Sequence, residues 1–298
     1  MAIQTALGGE IAPPATAPGA RASPGRGLVA RLLADRLGRA GVILAGVVLA
    51  GVILGPLVVR ADPTALHPDR ALAPPSRAHP LGTDEYGRDE LARLIDGGRR
   101  SLAAAAAILG LGMAIGIALG VAAGMGGRPL DALVGRAIDV VLALPDLVVV
   151  LAVLGVLGPG FGNLVLALTV PTAAFVARLA RGCVRGVDRS PVVMAARCAG
   201  VARSRIALGH VVPEVVGQIL VVMTMNVGMV LVGIAGFSFL GLGVQQPTPE
   251  WGAMLADARL YMGGAPWLVA APAAAILLAL VAANLIADAL VRLGAVHA

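Results

Sequence analysis

Lysine is absent from this sequence, so all 23 basic residues are arginine. That absence excludes a phosphate-binding loop of the Gly-x-x-x-x-Gly-Lys-Ser/Thr kind, whose lysine reaches the terminal phosphates of ATP. Charge of either sign is scarce: 13% of the 298 residues are charged and 58% are hydrophobic. With a mean hydropathy of +0.89, a soluble globule would lack the polar surface to cover itself, and the chain reads as an integral membrane protein. Cysteine is nearly absent as well. Cys183 and Cys198 are too few for a disulfide framework and read as reduced thiols, and no His or Cys pair has the spacing of a zinc site. His-Glu-x-x-His and Gly-x-Ser-x-Gly are both missing, and no second carboxylate within an apolar run faces Asp146, which argues against a membrane-embedded hydrolase. Paired interrupted runs, the mark of an inverted-repeat carrier, are not seen either.

What the chain does contain is a series of apolar runs. Residues 1–27, rich in Ala, Pro and Gly without periodicity, read as a disordered tail. Residues 28–39 alternate leucine with arginine, which fits an amphipathic helix on the membrane surface and a basic extension of the first span equally. Six runs of spanning length then follow: 40–59, 101–125, a third opened by Arg136 and Asp139 and ending near Leu157, 164–180, 215–240 and 266–286. No small-x-small cleavage site follows the first run, so it is expected to stay uncleaved. In the second, Gly112, Gly116, Gly120 and Gly124 fall in one stripe of a helix, the spacing that lets a neighbouring helix approach closely in lipid. The third contains Leu144, Pro145 and Asp146. An ionisable residue in a span is a functional candidate, yet Asp146 lies about two turns from the polar end and could instead reach water or an arginine, so both readings stand. Asn226, inside the fifth run, is a second polar candidate for a pathway, and Pro171 marks a potential kink in the fourth.

The polar interruption of this series is SPVVMAARCAGVARSRIALGHVVPE, residues 190–214. Ser190 and Pro191 are an N-cap and a first-turn proline, and 192–199 can form about two turns. Gly200 stands where a left-handed residue would stop that helix. A second helical run, 203–212, carries Ile206, Leu208, Val211 and Val212 and is expected to close at Pro213. Ala195, Ala196, Gly200, Val212 and Pro213 in this order resemble the cytoplasmic coupling loop of binding-protein-dependent ABC transporter permeases. That signature is Glu-Ala-Ala, three residues, Gly, nine variable residues, then an aliphatic group ending in Leu-Pro. Two positions depart from it: the family's Glu is Met194, and the Ser that caps the second helix is Ala202, a loss of roughly 1 kcal/mol.

Two further stretches resemble the dipeptide, oligopeptide and nickel permeases of that family. One is HPLGTDEYGRDELARLIDGGRRSL at 79–102, where His79 to Asp84, Gly87 to Asp89, Gly97, Arg99, Ser101 and Leu102 fit and Asp96 replaces an aromatic residue. Asp89 with Arg93, and Asp96 with Arg100, sit one helical turn apart, as in a short surface helix. The other is FLGLGVQQPTPEWGAML, from Phe239 onward. Nickel relatives raise a ligand role for His67 and His79, but two isolated loop histidines read as solvated.

The resemblance implies an all-α polytopic membrane protein with about six transmembrane helices and the type I ABC importer permease fold. Residues 1–39 would be a cytoplasmic tail and amphipathic helix, and 40–298 the permease domain, with its core at about 97–290. Met194, Ala195, Ala196, Arg197, Gly200 and Pro213 would form the ATPase-coupling loop. Such a subunit does no chemistry and holds no cofactor, ATP being bound by partners. Those partners would be a second permease subunit in a heterodimer, two cytoplasmic ATPase subunits, an extracytoplasmic binding protein and membrane lipid, with no nucleic acid. The cargo implied is a di- or oligopeptide, with nickel or another small solute as the alternative and a membrane-embedded enzyme as the competing class. Charge orients the chain. Residues 178–214 hold seven arginines against two acidic residues, whereas 60–100 hold seven of each, so arginine excess places both termini in the cytoplasm.

Overall fold

Backbone polar groups inside lipid must be satisfied within the chain, and helices do this locally. The computed structural model describes residues 28–188 and 190–293; the tail expected at 1–27 lies outside the described residues. Among these the chain is helical, the sole β-type pairing being an isolated bridge between Thr83 and Asp89. The helices are α1 (Leu28–Ala34), α2 (Arg36–Val58), α3 (Glu90–Met125), α4 (Arg128–Ala143), α5 (Asp146–Leu157), α6 (Phe161–Val187), α7 (Pro191–Cys198), α8 (Arg203–Ile206), α9 (Val212–Phe239), α10 (Trp251–Ala258) and α11 (Trp267–Arg292). Five helices are long and apolar enough to cross a membrane, and α4 with α5, bent by 101°, would make a sixth span.

The third apolar run is therefore not one straight span. Pro145 lacks an N–H and its ring pushes the preceding residue out of the helical region. Leu144 accordingly sits at φ −93°, ψ 144°, and Asp146 opens a new helix where a carboxylate meets the positive end of the dipole. The second span also begins earlier than its apolar composition indicates. Asp89 caps α3 by accepting the Ala92 N–H at 2.7 Å, so the short surface helix expected before the span is its first turns. Asp35 interrupts the basic stretch at 28–39 in the same manner, accepting the Gly38 N–H at 2.8 Å and starting α2.

Pro213 does not end the second helix of the polar interruption. The chain from Arg203 to Phe239 is one span, because a π-type turn, Ala207–Val211, precedes the proline. That wider turn, closed by the Val212 N–H on the Ala207 carbonyl, lets the helix pass a residue that would otherwise clash with the carbonyl four positions back. Two layers of core result. Ile108, Val150, Leu164, Leu231, Ile234 and Trp251 pack toward the end capped by α10. Val176, Ala180, Val184, Val193, Ile206 and Ile219 pack toward the end that carries α7.

Candidate coupling loop and pathway face

The Ser190 side chain caps α7 on the Val193 N–H at 3.4 Å. The helix stops in a Schellman turn: Gly200 N–H bonds the Arg197 carbonyl at 3.0 Å, Val201 N–H bonds the Ala196 carbonyl at 3.1 Å, and Gly200 stands at φ +74°. Ala202 leaves the N-terminus of α8 without a side-chain cap, the cost expected from its departure from the motif. The inward side of this knob, Val193 and Ile206, is buried against α6 and α9. Its outward side presents Val192, Met194 and Leu208, all more than half exposed. Ala195, Arg197 and Cys198 are exposed and Ala196 is half-buried; Arg197 pairs with Asp188. Pro213 lines a groove of about 780 Å³ between α6, α7 and the π-type turn, together with His210, Glu214 and Gln218.

Glycines 112, 116, 120 and 124 all face α6. A Cβ built on Gly112 would stand 2.5 Å from Thr172 Cγ2, one on Gly116 2.6 Å from Val176 Cβ, one on Gly120 2.8 Å from the Ala177 carbonyl oxygen, and one on Gly124 2.5 Å from Val184 Cγ1. Contact positions advance together along both helices, so α3 and α6 run parallel and in register. Gly110, off this stripe, has no atom within 4 Å of its would-be Cβ. A second close approach escaped the sequence reading: Gly41 of α2 lies against the Ile286 backbone, 2.9 Å from a would-be Cβ. Its only sequence signal was a small residue in an already apolar run. Arginines of α6 strap α4 down, Arg178 on Asp139 at 2.8 Å and Arg185 on Asp131 at 2.8 Å, with Arg181 also on Asp131.

Neither polar candidate for a pathway lies in a buried channel. Asp146 is exposed at the start of α5. Asn226 is half-buried and turns back on its own helix, donating to the Val222 carbonyl at 2.9 Å. One residue away, α9 carries an open stripe. Met225, Met229, Val232, Gly236 and Leu240 are exposed and recur at intervals of three and four, which sets them on one face; Asn226 lies about 100° off it. On the same side of the helix, beyond buried Val221, Gln218 and Glu214 line the groove beside α7, and at its other end the stripe meets a second groove of about 460 Å³ lined in part by Phe239, Leu240 and Gly241.

The cap at that second end is built by the two other motifs. Asp84 accepts from the Tyr86 and Arg88 N–H groups at 2.9 Å and from Arg88 Nε at 2.5 Å, and Arg93 Nε stands 3.2 Å away. Arg93 also donates to the Pro63 and Pro247 carbonyls at 3.3 and 3.2 Å. Ser101 bonds Glu250 at 2.7 Å, Glu250 caps α10, and Trp251 Nε1 donates to the Leu94 carbonyl at 2.9 Å. His79 is not a solvated loop residue: its Nδ1 bonds Asp89 Oδ2 at 2.8 Å, orienting the carboxylate that caps α3. The motif residues thus hold distant loops together, and among the described residues no cluster of His, Cys, Asp and Glu could hold a metal ion.

Comparison with known proteins places these features. The chain is 33% identical over 235 residues, 79% of its length and 77% of the other's, to the dipeptide transport system permease protein of Alkalihalophilus pseudofirmus. It is 37% identical over 241 residues, 79% and 80% of the two chains, to the di/tripeptide transport system permease protein of Pseudomonas aeruginosa. To the nickel transport system permease protein of Escherichia coli it is 35% identical over 229 residues, 77% and 83%. Residues 116–294 match the model of the family described as binding-protein-dependent transport system inner membrane component, and the chain belongs to that family of multi-pass ABC transporter permease subunits.

Proposed function

We propose that this chain is one of two permease subunits in an ATP-driven importer of short peptides, with α7 and both termini facing the cytoplasm and the α10 cap facing outward. The observation that carries this reading is the knob at α7 and α8. It is a rigid turn seated on a buried apolar base, yet it leaves Val192, Met194 and Leu208 exposed beyond the bundle, where an ATPase subunit would cover them. Met194, Ala195, Ala196 and Arg197 would supply that contact and Gly200 its geometry, so that closure of two partner ATPases is passed through α8 and the π-type turn directly into α9. Arginine excess near α7 supports the orientation. The peptide and nickel relatives named above support a small-solute cargo, and two peptide permeases among them favour a di- or tripeptide. Residues 40–298 are proposed as the permease domain, with its core at about 97–290, preceded by a peripheral cytoplasmic segment at 1–39.

The open stripe of α9 is proposed as this subunit's wall of the translocation pathway, in preference to Asp146 and Asn226. It lies between two polar grooves and carries the flexible methionines and the glycine that a passage for varied side chains requires. The test is reconstitution: the chain, its partner permease, two ATPase subunits and the binding protein in liposomes should accumulate labelled dialanine only when ATP and the binding protein are both supplied. The isolated chain should hydrolyse no ATP. Uptake independent of ATP, or turnover of ATP by the isolated chain, would overturn the assignment.

A further inference from the structure

The groove at the cap end is lined by side chains of both charges. Glu85, Asp257 and Arg259 line it together with Tyr86, Tyr261 and Phe239. Its volume, about 460 Å³, lies within the ~300–1,000 Å³ of small-molecule sites; a protein partner docks instead over roughly 800 Å² of broad surface.

Each charged group in the groove lacks a close counter-ion. Arg259 makes no ion pair among the described residues and lies over the Phe239 ring, 5.5 Å from its centroid. Glu85, with a side chain only 11% exposed, has as its one ion pair a long contact of 3.6 Å to Arg88 Nη2. That nitrogen is itself buried without a hydrogen-bond partner, while the Nε of the same guanidinium is committed to Asp84 at 2.5 Å. Burial pushes the Glu85 carboxyl above the usual range, and the neighbouring carboxylates of Asp84 and Asp257 add to this. Glu85 and Asp257 also line a water-sized cavity with Asp84, Glu90 and Arg93. Asp84 is matched by Arg88 and Arg93, which leaves Glu85 and Asp257 as the carboxylates toward which a cation arriving in the groove is drawn.

We propose that this groove is an entry subsite for the free termini of a short zwitterionic peptide, Arg259 receiving the carboxylate and Glu85 with Asp257 the α-ammonium. Both contacts are charge-assisted, and the aromatic residues lining the groove accept side chains without selecting among them. The groove opens onto Leu240, the outer end of the open α9 stripe, so a peptide held there stands at the mouth of the proposed pathway. The subsite rests on the permease reading, which orients the cap outward.

The test uses the complete complex in lipid nanodiscs without the binding protein, and equilibrium dialysis of labelled dialanine, dialanine amide and N-acetyl-dialanine. Dialanine should bind saturably, and each blocked peptide about tenfold more weakly. Arg259→Gln should lower dialanine affinity to that of the amide while leaving the amide unchanged. Glu85→Gln and, independently, Asp257→Asn should lower it toward that of the N-acetyl form while leaving that form unchanged. Arg259 is exposed, so its variant tests the subsite without burdening the fold. Absence of saturable binding, or equal binding of blocked and free peptides, overturns the subsite. So does an effect of these variants confined to ATP hydrolysis stimulated by the binding protein, which would make the groove a protein-docking surface. Uptake by the wild-type complex with binding protein and ATP, run alongside, separates the two readings: uptake without dialanine binding removes the subsite alone, and no uptake removes the peptide-importer reading on which it rests.

Discussion

At Gly200 a side chain would meet no atom within 4 Å, yet the backbone stands at φ +74°. Valine there would be strained by its own backbone and by nothing around it, at roughly 1–2 kcal/mol. Gly200→Val should therefore insert normally but misdirect α8, lowering both peptide uptake and substrate-stimulated ATP hydrolysis in the reconstituted complex. Gly200→Asn, a residue that tolerates the left-handed region, should keep most of both. Undiminished uptake by the valine variant would show that this turn does not transmit the ATPase stroke. At the cap, Asp84 is the one carboxylate against which Arg88 and Arg93 are both buried. Asp84→Ala strands two buried guanidinium groups, a loss of about 3–5 kcal/mol. The variant should expose residues 60–89 to protease and lower the thermal midpoint of the complex; a protease pattern like that of wild type would refute this role.

Between α3 and α6 the contact is made by backbone and small side chains, and the two substitutions that test it differ only in the face they occupy. Gly120→Leu must displace Ala180 and the Ala177 carbonyl, an overpacking cost of about 1–3 kcal/mol or more, whereas Gly110→Leu enters open space. The yield of assembled complex should fall for the first and not for the second, and equal yields would remove the seam. Such an element is legible in sequence because its signal is a period, and the same holds for the Ser190–Pro191 cap and the Gly200 stop. What could not be read was set by tertiary partners. The break at Leu144 and Pro145 was visible as a proline, but its 101° angle was not, nor were the Asp131 and Asp139 straps that tie α4 to α6, since no local pattern encodes a tertiary partner. Pro213 shows the converse error: a breaker by local rules, it lies in a continuous helix because a π-type turn absorbs it. The α9 stripe was hidden for a third reason. Met225, Met229 and Val232 are as apolar as the lipid-facing and buried positions beside them, so hydropathy cannot separate a pathway from either.

Across the whole molecule, exposed apolar faces also run along α2, α3 and α11, so labelling must decide what the α9 stripe faces. The proposed pathway face lies between Glu214 and Gln218, 3.1 Å apart, and a charged groove at the cap. Water should therefore reach it in the assembled complex during part of the transport cycle. Cys183 and Cys198 are free thiols, half-buried and exposed, and would be replaced by serine to give a silent background. Single cysteines at Met229, Val232 and Gly236 should then react with a charged maleimide at rates that change by about an order of magnitude when the ATPases are held closed on a non-hydrolysable nucleotide, because closure exchanges access from one side for access from the other. Cysteines at Leu231 and Ile234, 3% and 1% exposed in the core, should stay unreactive in both states and report that the helix keeps its packing. Reaction at the stripe positions that is absent in both states would place this face in lipid or in a sealed subunit contact. The pathway would then have to be sought elsewhere, with the coupling knob at α7 left standing.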